Sequence, residues 1–111
     1  MNLADIMQDT GLKPTQKAIW EGNVRAYADQ MQRDLWDWNW TATNPREPMI
    51  VDTQGHIVAS HHRFVAAKMA GVNIPENVVK TLPGATARPV RAWDTIHVHA
   101  GLRPGSGGIR R

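Results

Sequence analysis

Between Met49 and Gly71 the sequence spells a β-hairpin that runs straight into a helix, and the rest of the chain must fold around that unit. Met49-Ile50-Val51 and His56-Ile57-Val58-Ala59 are two short runs rich in β-branched residues. They flank Asp52-Thr53-Gln54-Gly55, with Asp first and Gly fourth, as a type I turn favours. Ser60 is placed to cap a helix over about 61–70, and Gly71 sits where a helix turns off into the left-handed region. Phe64, Val65 and Met69 supply its buried side, and Ala66, Ala67 and Ala70 allow close approach to a neighbour.

Around this unit, residues 1–13 read as a short lead-in ending near Gly11. Pro14-Thr15 opens a first helix with Thr15 as N-cap, and Trp20, Val24, Tyr27, Met31 and Leu35 form its apolar stripe. Gly22 weakens that helix by about 1 kcal/mol relative to alanine. Leu35 to Trp40 alternates apolar and polar residues, which suits an extended segment, and Asn44, Pro45 and Pro48 mark a loop. Pro75 starts a short helix over about 76–82, Pro83-Gly84 is a turn, and 88–99 reads as a final strand. The expected architecture is α+β: a small mixed β-sheet with a hairpin and flanking helices. Residues 1–100 form one domain, and 101–111 form a flexible basic tail.

Composition narrows the chemistry. The 111 residues include no cysteine, which removes disulfides, thiolate metal sites and thiol nucleophiles. No stretch approaches the roughly 18 apolar residues of a membrane span, so no membrane partner is expected. Met1 to Thr10 carries Asp5 and Asp9 and no basic residue, unlike a signal peptide. Residues 1–47 hold five Lys/Arg against seven Asp/Glu, a net of −2. Residues 48–111 hold eight against three, a net of +5, which points the second half toward an anionic partner.

The chemistry-bearing cluster is Ser60-His61-His62-Arg63. A helix N-terminus offers unpaired N–H groups and partial positive charge, so acidic residues normally occupy it. Here the first turn is basic, which becomes favourable when an anion docks there. Arg63 can clamp a phosphate with its fork of donors. A histidine can exchange a proton near neutral pH. Adjacent helical residues diverge by about 100°, so one of His61 and His62 is expected to face a ligand and the other to pack or hold the loop. His97 and His99 share a strand face and could bind a metal, although such pairs are more often surface residues. Trp36, Trp38 and Trp40 could stack bases, but packing is the commoner role of tryptophan.

The run Pro48 to Asp52, Gly55 to Ala67 and Ala70-Gly71 resembles the core of the ParB/sulfiredoxin superfamily, whose pattern is a hairpin, Gly-x-x-Arg at a helix start, Ala-Ala and a closing Gly. The His-His-Arg variant is similar to the ParB-like nuclease branch, which includes C-terminal domains of bacterial polymorphic toxins. Leu12-Lys13-Pro14-Thr15-Gln16 resembles the Pro-Thr-Gln motif of that branch, and Leu82-Pro83-Gly84 through Arg88-Pro89 to Trp93 resembles its later strand. The likeness spans about residues 12–98. It implies a ParB/sulfiredoxin-like fold and a nucleic-acid or nucleotide substrate. Arg63 matches the phosphate-contacting arginine, His61 falls where sulfiredoxins have their catalytic cysteine, and His62 matches the histidine after it. Without cysteine, sulfinic-acid repair is excluded. Ser60 stands where the motif usually has glycine.

In the toxin branch, His61 or His62 would be general acid/base on a phosphodiester and Arg63 would stabilise the developing charge. Ser60, Thr15, Gln16 and Lys68 would join Arg63 around the phosphate. Metal dependence is open, since histidine chemistry and a water on a divalent metal both fit. The alternative is a module that binds CTP, ATP or DNA without turnover. A toxin would meet a cognate immunity protein and would be delivered to a target cytoplasm as part of a larger secreted chain. Otherwise the protein is expected in the cytoplasm.

Overall fold

The computed structural model describes residues 2–38, 49–84 and 88–104. The α+β expectation holds, with a hairpin and flanking helices. In chain order the described elements are α1 (Leu3–Asp9), β1 (Ala18–Trp20), α2 (Glu21–Gln32), β2 (Met49–Asp52), β3 (Ile57–Ala59), α3 (His61–Ala70), β4 (Val79–Leu82) and β5 (His97–His99). Two 3-10 turns, Glu76–Val78 and Trp93–Thr95, precede β4 and β5. The strands form two small sheets where one was expected: β3-β2-β4, mixed, and β1-β5, parallel.

The central unit forms as its sequence dictates. β2 and β3 pair antiparallel, and the Gly55 N–H reaches the Asp52 carbonyl at 3.4 Å across the turn. The buried Asp52 carboxylate tightens that turn, accepting from the N–H groups of Gln54 and His56 at 2.9 Å and contacting His56 Nδ1 at 2.8 Å. α3 ends at Gly71, whose φ of 72° is the left-handed stop expected there. Val65 and Ala66 are fully buried, and α3 packs chiefly against α2, whose Val24, Ala28 and Met31 lie at helical spacing on its buried side.

Elsewhere tertiary pairing overrides local pattern. The lead-in contains a helix, α1. Asn2 caps it by accepting from the Asp5 N–H at 2.9 Å, and Leu3, Ile6 and Met7 turn into the core. The next helix starts at Glu21, six residues later than Thr15, because the N–H groups before it have distant partners. Lys13 bridges to His56, and Ala18, Ile19 and Trp20 register with His97, Val98 and His99. Trp20 is thus a strand residue, and Leu35 lies beyond the helix and is exposed. α2 stops where Asp34 takes φ 60° and the Leu35 N–H returns to the Gln30 carbonyl at 2.8 Å. Residues 35–37 form no strand, and Asn39 to Pro48, including Trp40, lies outside the described residues.

The expected helix over 76–82 is one 3-10 turn followed by β4. Val79 to Leu82 runs parallel to β2 as a sheet edge, while Val78 ends the 3-10 turn and is buried. The expected strand over 88–99 shortens to three residues. Before it, the chain hangs on the 12–20 segment: the Arg91 N–H donates to the Pro14 carbonyl at 2.9 Å, and Trp93 Nε1 donates to the Leu12 carbonyl at 2.7 Å. Trp93 is a buried anchor.

Gly101 to Arg103, read from sequence as part of a tail, meets the start of α2. The Gly22 N–H donates to the Gly101 carbonyl and the Arg103 N–H to Asn23 Oδ1, both at 2.8 Å. Gly22 is therefore a contact glycine: a Cβ there would lie 2.3 Å from the Gly101 oxygen. Among the described residues no helix is long and apolar enough to cross a membrane.

Candidate functional site

Hairpin, turn and helix deliver Ser60, His61, His62 and Arg63 to the N-terminus of α3, and the 12–20 segment lies across them. Ser60 enters the helix with φ 70° and ψ 43°. This left-handed geometry favours glycine, the residue the resembling motif carries there. The expected side-chain cap does not form. Instead the Ser60 carbonyl accepts from the N–H groups of Arg63 and Phe64, and its Oγ accepts from Arg63 Nη1 at 2.9 Å.

Both histidines hold backbone, which corrects the division of labour read from sequence. His61 Nε2 accepts from the Thr15 N–H at 3.0 Å, and His62 Nε2 accepts from the Trp20 N–H at 2.9 Å. They grip two points five residues apart on one segment, so their divergence on the helix is what lets both bind it. Each is thereby placed in the tautomer with the proton on Nδ1. His61 is 2% exposed, and its Nδ1 is buried without a partner among the described residues. Burial first, then the charges of His62 and Arg88, lowers its pKa to about 4. Burial and Arg103 lower that of His62 to about 4 as well. Both rings are neutral at pH 7.

Arg63 is buried beside two aromatic rings, its guanidinium carbon 5.9 Å from the Tyr27 centroid and 5.8 Å from that of Trp36. Burial lowers its pKa from the usual arginine value, a hydrogen-bonded Tyr27 opposes this, and Arg103 adds to it. Trp36 and Trp38 pack against the core, with Trp36 tilted on Tyr27 at 5.0 Å, as the packing reading expects.

The remaining expected site residues separate. Thr15 joins the cluster through its N–H, while its hydroxyl donates to the Ile57 carbonyl at 2.7 Å rather than capping a helix. Gln16 folds onto its own segment and donates to the Ala18 carbonyl. Lys68 lies in the last turn of α3, exposed at the rim of a separate cavity of about 440 Å3 that Leu12, Phe64 and Ile74 help to line. The His97 and His99 rings stand 4.1 Å apart, and His99 stacks on Trp20 at 4.0 Å. No group of three or more His, Asp or Glu suited to a metal occurs among the described residues.

Sequence reading missed Arg88 and Arg103. Both lie far along the chain from His61, and both are close enough to act on the histidines electrostatically. No local pattern marks either one; only the return of the chain past α2 brings Arg103 there.

No protein-family model, no curated protein and no solved structure matches this chain.

Proposed function

We propose that the start of α3 binds a phosphate group of a nucleic acid or nucleotide, and that the protein is a binding module of that kind. The observation that carries this reading is a helix N-terminus that has no acidic residue in its first turn, holds Arg63 on Ser60 Oγ, and lies within electrostatic reach of Arg88 and Arg103. Helix dipole and arginine charge have the same sign there, and both attract an anion. The motif resemblance to ParB-like proteins points the same way.

Phosphodiester hydrolysis, which the nuclease branch of that resemblance implies, needs a group with a lone pair to take a proton. The Nε2 lone pairs of His61 and His62 are already committed to backbone N–H groups. A pKa of about 4 also makes each ring a weak base. The geometry therefore favours binding over turnover.

Arg88 and Arg103 are exposed, so removing their charge spares the core. Fluorescence titration with a short single-stranded oligonucleotide, and with CTP and ATP, tests the reading. Arg88→Gln and Arg103→Gln should each weaken oligonucleotide binding about three- to tenfold at 0.15 M salt and make it less salt-dependent, because phosphate contacts release counterions. Absence of binding to every probe, or affinity that both variants leave unchanged, overturns it. Cleaved DNA or RNA, with or without magnesium, would restore the nuclease reading.

A further inference from the structure

The β1-β5 sheet carries an aromatic row on the face opposite Ile19. In its parallel register Ala18 faces His97, Ile19 faces Val98 and Trp20 faces His99. Side chains alternate along a strand, so Ile19 and Val98 share one face while Ala18, Trp20, His97 and His99 share the other. Ile19 is fully buried, so its face turns to the core at β1, while Val98 on the same face of β5 is 40% exposed. On the opposite face Trp20 and His99 stack at 4.0 Å with 15° between planes, and His97 meets His99 at 4.1 Å. The row ends in His97, which is exposed.

This row adjoins the start of α3. The Trp20 backbone donates to His62, and Arg103 is pinned by its own N–H to α2, the helix that follows Trp20 directly. At the other end, the Lys17 carbonyl accepts from the His97 N–H at 3.0 Å, and Lys17 is exposed. The rings cover one another inside the row, so its free π-face is that of exposed His97 at the end, where an unpaired base can stack while its phosphates meet positive charge nearby. A duplex keeps its bases stacked on each other and offers none to such a row.

We propose that His97, the exposed end of the Trp20-His99-His97 stack on β1 and β5, is a stacking platform for a base of a single-stranded nucleic acid whose phosphates lie at the start of α3. This rests on the phosphate reading above and adds the polymer class and a second contact.

Fluorescence anisotropy on the full chain, with a labelled oligothymidylate of about ten nucleotides, an abasic strand of equal length and a duplex, separates the two claims. Wild type should bind the oligothymidylate more tightly than the abasic strand or the duplex. His97→Ala should lose about tenfold for the oligothymidylate and nothing for the abasic strand, and His97→Phe should restore the loss. Equal affinity for thymidylate and abasic strands, tighter duplex binding, or an unaffected His97→Ala variant overturns the platform and leaves the phosphate reading standing. Failure of every probe to bind wild type overturns both.

Discussion

Gly22 shows how a residue can look like a defect in sequence and be a requirement in the fold. As a helix residue it costs about 1 kcal/mol relative to alanine. As a neighbour of Gly101 it admits a carbonyl that a Cβ would strike at 2.3 Å, and its N–H, one of the orphan donors of the α2 start, finds its acceptor there. Gly22→Ala should therefore lower stability by about 1–3 kcal/mol in urea unfolding, since steric overlap with backbone outweighs helix propensity. A stabilised variant would mean that the 101–103 segment does not sit on α2 in solution. Ser60 is the converse case. Its left-handed backbone is a geometry that favours glycine, and its hydroxyl gives Arg63 a partner that glycine lacks.

The interlock of α3 with the 12–20 segment rests on two neutral imidazoles. Each histidine has its pKa lowered from 6.5 to about 4, so between those values the unfolded chain binds more protons than the folded one. Their contribution is thus complete above about pH 6.5 and is lost as the pH falls toward 4. By pH 5.5 the loss is on the order of 1 kcal/mol for each histidine. Urea midpoints measured at pH 7.5, 6.5 and 5.5 should fall in that order. His62→Asn, which keeps an acceptor without a titrating ring, should flatten the profile. A profile already flat in wild type would mean that the rings do not hold the segment. This interlock also explains the misplaced helix start. Pro14-Thr15 has the form of a helix opening, but the Thr15 and Trp20 N–H groups belong to α3.

At the level of the whole molecule, the chain closes on itself through its later residues. β5 adds to β1, and Gly101 and Arg103 tie to the start of α2, so the segment after β5 completes the surroundings of His62. A chain ending at Ala100 should be less stable than one ending at Pro104 by about 1–2 kcal/mol, because it lacks two hydrogen bonds and leaves the Gly22 N–H without its acceptor. It should also bind oligonucleotide more weakly, having lost Arg103. Thermal melts and anisotropy on the two truncations check this; equal stability would show that the closure contributes nothing.

The sequence by itself determined the parts that depend on neighbours along the chain. Alternating β-branched runs around Asp52 and Gly55, and a helix that ends at Gly71, carry their own turn and stop chemistry. They placed Ser60-His61-His62-Arg63 at a helix N-terminus without help from the rest of the fold. α1 was equally legible, through Asn2, Asp5 and the spacing of Leu3, Ile6 and Met7, but went unread. Only the tertiary structure decided that 15–20 is held rather than helical, that Val79 to Leu82 is a strand, that both histidines clamp backbone, and that the charges of Arg88 and Arg103 reach them. The reason is physical. A backbone N–H takes whichever acceptor folding brings to it, and a pKa near 4 needs burial and distant charge that no short window of sequence contains.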